Sequence, residues 1–226
     1  MAVLLNILYT LVTVGFVGGL LGLLYALDPE DSEEKIPNNP YNSLEKFNSV
    51  ELNLKDQTYP QVHCKGGKNK AKYIFTYRGL DDCTALYALF QGNKVCKYAC
   101  LEMGSCIRLC PVGAIHYDPT GTVWVDRETC TSCGLCVQIC PTGVLRFLPR
   151  NADYLVACNS LDDGSKTLES CSVGCTGCRI CERRLVDGGF FIERNLARIN
   201  YKRHGERKYA AEDCPTKCII KHYVEE

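Results

Sequence analysis

The sequence predicts an α+β chain in which one apolar N-terminal helix precedes two tandem cysteine-rich units. Three observations carry this. Residues 2–27 are almost wholly apolar. All seventeen cysteines of the 226-residue chain lie at or beyond position 64, most of them in tightly spaced runs. Between the runs stand short β-prone segments bounded by Gly, Pro and Asp, the pattern of hairpins. Lys plus Arg and Asp plus Glu are both 26. The charge balance therefore offers no argument for a nucleic-acid partner.

The apolar run exceeds the roughly 20 residues a helix needs to cross a bilayer core. No Lys or Arg precedes it and no clear small-residue cleavage site follows it, so a retained anchor fits better than a signal peptide. Residues 1–27 are thus expected to form a single transmembrane helix. Gly15, Gly18, Gly19 and Gly22 share one face of it, which permits close approach of another membrane helix. Residues 28–60 are polar and aperiodic and read as a linker. Residues 61–95 read as a small α/β segment. In it, residues 61–64 end a strand, residues 73–77 form a second, and residues 82–90 form a helix. Cys64 and Cys83 in this segment read as buried structural thiols.

The most specific run is Cys130, Cys133, Cys136 and Cys140 followed by Pro141. Its spacing, C-x2-C-x2-C-x3-C-P, is that of bacterial ferredoxins. There the first three thiolates bind one iron–sulfur cluster and the fourth binds the other cluster of the pair. Zinc favours two well-separated C-x2-C pairs instead. Disulfides need an oxidising compartment, whereas ligand-spaced thiols favour a reducing, cytoplasmic one.

Residues 96–150 are expected to form a two-cluster [4Fe-4S] ferredoxin unit. Its other run is Cys96, Cys100, Cys106 and Cys110, followed by Pro111, with Met103 where a cysteine normally stands. The crosswise rule assigns Cys96, Cys100, Cys106 and Cys140 to cluster A. It assigns Cys110, Cys130, Cys133 and Cys136 to cluster B. Residues 114–117 and 123–126 flank an Asp-Pro-Thr-Gly turn and read as a hairpin joining the halves.

After a connector at residues 151–170, residues 171–226 read as a degenerate, single-cluster unit. Cys175, Cys178 and Cys181 begin a second ferredoxin run, and Cys214-Pro215 ends its partner. Leu185, His204, Arg207 and Ala210 stand where the ligands of the other cluster belong. One ligand set is complete and the other is missing entirely. Cluster C is therefore assigned to Cys175, Cys178, Cys181 and Cys214, with Cys171 or Cys218 as rivals for the fourth thiolate. Three [4Fe-4S] clusters use twelve of the seventeen cysteines. Cys64, Cys83, Cys158, Cys171 and Cys218 are left as structural thiols.

Over residues 64–219 the chain resembles the B subunits of Rnf (Rsx)-type ion-translocating ferredoxin:NAD oxidoreductases. The resemblance rests on the run from Val95 to Pro111, on the Cys130 run, and on Val156-Ala-Cys-Asn-Ser together with Cys171-Ser-Val-Gly-Cys-Thr-Gly-Cys178. It implies a subunit anchored in the cell (inner) membrane, with its soluble part on the cytoplasmic side. Such a subunit takes electrons from reduced ferredoxin and passes them to membrane subunits that couple the flow to Na⁺ or H⁺ movement. NAD is reduced elsewhere in the complex. The family usually carries one more cysteine-rich cluster motif just after the anchor, and residues 28–63 contain no cysteine.

The expected role is an electron relay with no acid–base or nucleophilic site of its own. No G-x-G-x-x-G run is present, so direct NAD binding is not expected. The competing reading is a structural or assembly subunit whose clusters mainly stabilise the fold. The two differ in whether low-potential ferredoxin reduces the clusters.

Overall fold

The structure, a computed structural model, describes residues 58–222. The expected anchor, with its glycine face, and most of the linker lie outside the described residues. Among the described residues, no helix is long and apolar enough to cross a membrane.

The first unit begins with β1 (Thr58–Val62) and, after the helix α1 (Cys83–Phe90), continues through α2 (Ser105–Leu109), β2 (Ile115–Tyr117), β3 (Val123–Val125), α3 (Leu135–Ile139) and β4 (Leu145–Pro149). β1 pairs antiparallel with β4, Val62 opposite Leu145. β2 pairs with β3, Ile115 opposite Val125, which is the expected hairpin. The second unit repeats the order. It runs β5 (Tyr154–Val156), α4 (Gly164–Ser170), α5 (Ile180–Arg184), β6 (Phe190–Glu193), β7 (Leu196–Ile199), α6 (Arg207–Glu212) and β8 (Ile219–Lys221). Again the outer strands pair, β5 with β8, and the inner strands form a hairpin, β6 with β7.

Two expectations need correction. β1 starts at Thr58 and closes the first unit's sheet, so it straddles the expected boundary between linker and small segment. Residues 73–77 form no strand; only Tyr73 makes an isolated bridge, to Lys94. No ladder forms there because Lys94, the residue that faces Tyr73, stands between bends at Asn93 and Val95. The helix at residues 82–90 does form. The Asp82 carboxylate accepts from the Ala85 N–H at 2.8 Å, and Gln91 ends the helix in the left-handed region.

The cluster-loop helices α2, α3 and α5 have five residues each, too short to be stable alone. Packing holds them. One core gathers Tyr59, Val125, Val144 and Leu148 around cysteines of the first unit. A second gathers Phe190, Leu196 and Ala210 around cysteines of the second.

The units share a seam. Leu155 and Ala157 of the second unit lie in the first unit's core. His63 Nδ1 lies 3.0 Å from the Val156 carbonyl, and the Lys65 N–H donates to the Ala157 carbonyl at 3.0 Å. Tyr59 stacks on His222, and its hydroxyl hydrogen-bonds to His222 Nε2. The strand ends correspond: the His63 N–H donates to Val144 O, and the Ala157 N–H donates to Cys218 O, both at 2.7 Å.

Candidate functional site

Each cysteine run lies in a loop leading into a short helix, and the loop backbone has one recurring shape. Ser132 and Gly134 have positive φ of 58° and 79°, and Gly177 and Arg179 repeat this at 65° and 61°. Alternation into the left-handed region turns successive N–H groups to one side, making the concave nest found at phosphate and iron–sulfur sites. The N–H groups reach sulfur directly. The Ser132 N–H donates to Cys130 Sγ at 3.4 Å, the Ala114 N–H to Cys110 Sγ at 3.3 Å, and the Ala197 N–H to Cys175 Sγ at 3.4 Å.

In the first unit, Cys110, Cys130, Cys133 and Cys136 line one cavity, with Pro60, Ile115 and Leu135 as apolar neighbours. This is the grouping expected for cluster B. The loop of one half and the Cys-Pro end of the other meet because the hairpin β2–β3 folds the halves face to face.

The grouping expected for cluster A differs by one residue. Cys100, Cys106 and Cys140 line a common cavity, but the fourth cysteine there is Cys83. Cys96 lies instead in a separate cavity with Cys64, Cys158 and Cys171. The reason is steric order along the chain. Cys96 precedes the loop and extends away from it toward the seam. Cys83 opens α1, which is tied to the loop: its N–H donates to Ser105 Oγ at 2.8 Å, and Ser105 Oγ donates to Asp82 Oδ2 at 2.9 Å. Cys83 thereby supplies a sulfur where Met103 leaves the C-x2-C-x2-C pattern incomplete. Neither cysteine sits at motif spacing; the only signal in the sequence was the gap at Met103.

In the second unit, Cys175, Cys178, Cys181 and Cys214 line one cavity, together with Cys218. Cys171, one of the rivals, is not there. Cys218 Sγ lies 3.6 Å from Cys214 Sγ. Its thiol hydrogen bonds to Cys175 and Cys214 are the largest cause lowering them, to about 6 and about 5. Cys218 itself is buried, and these bonds drive its own pKa far up. By the matching backbone bonds at the strand ends, Cys218 occupies the place of Val144, a buried core residue. Cys214, four residues earlier and followed by Pro215, occupies the place of Cys140.

The positions where the sequence has no cysteine for a second ligand set are filled. Arg207 is buried. It pairs with Asp153 at 2.6 Å, donates to the Gly188 carbonyl at 3.0 Å, and covers the Tyr201 ring at 5.5 Å. Ala210 is fully buried. A polar cleft of about 210 Å³ lies beside Asn151, Tyr201 and His204.

The donor set suits iron–sulfur clusters. Burial pushes the thiols of Cys106, Cys136 and Cys181 up to about 12, so thiolates there need a positive core to offset desolvation. Among the described residues, no three His, Cys, Asp or Glu side chains converge on a single-ion position. In each of the three cavities at least four cysteines line a shared space. When bound, an iron–sulfur cluster supplies one-electron transfer.

Residues 123–146 match a family described as a 4Fe-4S binding domain. The chain is also similar to three curated proteins. It is 33% identical over 169 residues to the B subunit of the ion-translocating oxidoreductase complex of Methanosarcina acetivorans, covering 75% of this chain and 64% of that one. It is 40% identical over 139 residues to the B subunit of the proton-translocating ferredoxin:NAD(+) oxidoreductase complex of Clostridium ljungdahlii, covering 62% and 49%. It is 33% identical over 159 residues to the B subunit of the Na(+)-translocating ferredoxin:NAD(+) oxidoreductase complex of Acetobacterium woodii, covering 70% and 46%. The chain thus spans about half to two thirds of the length of these relatives.

Proposed function

We propose that this chain, a relative of the B subunits of Rnf-type ion-translocating oxidoreductases, is the iron–sulfur electron-transfer subunit of such a complex. Reduced ferredoxin is its donor, and the other membrane subunits are its acceptors. The observation that carries the reading is the grouping of cysteines from distant parts of each unit around shared cavities, two in the first unit and one in the second. The ligand sets proposed are Cys83, Cys100, Cys106 and Cys140 for site A, and Cys110, Cys130, Cys133 and Cys136 for site B. Site C takes Cys175, Cys178, Cys181 and Cys214, with Cys218 as a packing thiol that donates to sulfur.

The protein's own contribution is to position and tune. Apolar neighbours exclude water, and N–H···S bonds stabilise the more negative, reduced state, which raises its potential. The N-terminal apolar run fits a single-pass anchor holding these sites at the cytoplasmic face. Its glycine stripe suits contact with a neighbouring membrane helix.

The test is anaerobic purification of the full chain, followed by mixing with reduced low-potential ferredoxin and EPR of the freeze-quenched sample. Reduced-cluster signals are expected on mixing. In the assembled complex, Cys133→Ala should abolish ferredoxin-driven electron flow. Clusters that stay oxidised, or unimpaired flow through the Cys133→Ala complex, would overturn the relay reading in favour of an assembly role.

A further inference from the structure

We propose that Cys64, Cys96, Cys158 and Cys171 hold a fourth [4Fe-4S] cluster, on the seam between the two units. The inference rests on the reading that the other cavities carry clusters, and adds a site to them.

The four cysteines line one cavity, with Ala71, Ala99, Ala157 and Val173 as apolar neighbours. Its cavity volume of about 20 Å³ equals that of sites A and C, about 20 Å³ each, and exceeds the 10 Å³ of site B. Cys158 is buried and Cys64, Cys96 and Cys171 are partly buried around this cavity, so four sulfurs from four separate stretches of chain share one small space.

The site is built twice over by the tandem repeat. Cys64 stands two residues after β1, and Cys158 two residues after β5. Cys96 stands four residues before Cys100, and Cys171 four residues before Cys175, each of which opens a cluster loop. Each unit therefore contributes an equivalent pair, and the seam brings the pairs together. The segment at residues 70–74 holds them. Ala71 bridges Cys171, with the Lys72 N–H on Ser170 O at 2.8 Å and the Ser172 N–H on Lys70 O at 3.0 Å. On its other side, the Ile74 N–H donates to Asn93 O at 2.8 Å and the Val95 N–H to Lys72 O at 2.9 Å, which places Cys96.

The sulfurs are treated as cluster sulfurs are. The N–H two residues on donates to the thiol at Cys96 from Tyr98, at Cys158 from Ser160 and at Cys171 from Val173. The same bond is made at Cys100, Cys130 and Cys175 in the other sites. Gly66 leaves the mouth open: a Cβ there would stand 3.3 Å from Cys171 Sγ and 3.6 Å from Cys64 Sγ. A positive charge is also at hand. Lys94 Nζ is fully buried, 2.7 Å from Glu102, and donates to the Gly66 carbonyl at 3.0 Å.

The position joins the units. The Cys100 N–H of site A donates to Cys64 Sγ at 3.4 Å, and the Cys175 N–H of site C donates to Cys158 Sγ. A cluster held here has site A on one side and site C on the other, so the cluster sites form one series rather than two separate groups.

The test is quantitation of iron and acid-labile sulfide on the full chain purified anaerobically, with spin integration of the dithionite-reduced EPR signal. Wild type should carry about sixteen irons, four per cubane. The Cys64→Ala/Cys158→Ala double variant should carry about twelve, with the other clusters' signals retained. Wild type with about twelve irons, or a double variant with the wild-type content, would overturn the fourth site and leave the relay reading standing. If the double variant does not fold, the wild-type count decides alone. A wild type with no iron would overturn both.

Discussion

The backbone N–H of Cys83 donates to Ser105 Oγ at 2.8 Å, binding the first turn of α1 to the residue beside Cys106. This contact explains how a cysteine far outside the motif reaches the cavity that Met103 leaves short of a thiolate. Cys83→Ala should lose about four irons, one cubane. Adding Met103→Cys in that background restores the C-x2-C-x2-C spacing and should restore the iron. Cys218→Ala should leave the iron content unchanged. Iron analysis and EPR of the three variants check this.

Ser105 also carries a stability prediction. Its hydroxyl accepts from Cys83 and donates to Asp82, the cap of α1. Ser105→Ala leaves a partly buried N–H without its acceptor and should cost about 1–2 kcal/mol. Site A should lose its cluster faster than site B under chelator, followed by the decay of visible absorbance.

Gly134 opens α3 with φ of 79°. A Cβ there meets only the Phe147 ring, at 3.5 Å, so the cost of Gly134→Ala is conformational rather than steric. It should be about 1 kcal/mol, read from denaturation midpoints. The effect on cluster loading should fall on site B, whose third ligand, Cys136, lies two residues on.

Arg207 stands at one of the positions that carry no cysteine in the second unit. It is buried, while its partner Asp153 is partly exposed. Arg207→Ala removes the ion pair and orphans the Gly188 carbonyl. A loss of about 2 kcal/mol is expected, below the full cost of breaking a buried pair because Asp153 can rehydrate. Iron content should not change, and denaturation with parallel iron analysis separates the two effects.

His222 adds a pH dependence. Burial, and then the charge of Arg127, lower its pKa from 6.5 to about 4. The unfolded chain thus binds this proton more readily than the folded one. Stability from a neutral His222 is complete above pH 6.5 and is lost progressively as pH falls toward 4. His222→Gln should flatten the loss in that window. Denaturation midpoints of both proteins at pH 7.5 and pH 5 test it, and an unchanged slope would refute the assignment.

Much of the site was legible because cluster ligation is written locally. The runs at Cys130 and Cys175 bring three thiolates to one loop by spacing alone. The crosswise partners Cys110 and Cys214 follow from the repeat and from the proline after each. Leu185, His204, Arg207 and Ala210 stand where a second ligand set would fall in the repeat, and Arg207 and Ala210 are buried there. The cavities that Cys83 and Cys96 line were not legible. Motif spacing describes a continuous loop, and both cysteines stand outside one. The outer strands escaped for a related reason: β1 pairs with β4 across most of the first unit, so its limits are set by a distant partner.

The sequence by itself determined the local pattern: cysteines at cluster pitch, a proline directly after Cys110, Cys140 and Cys214, and two copies of one unit. Tertiary structure alone decided which cysteines share a cavity when they come from different loops or different units. Cys64 and Cys158 are separated by a whole repeat, and no local periodicity links them. They face one cavity only because β1 and β5 end side by side at the seam. Packing of the two units made that juxtaposition, and it places Cys96 in the same cavity as Cys64, Cys158 and Cys171.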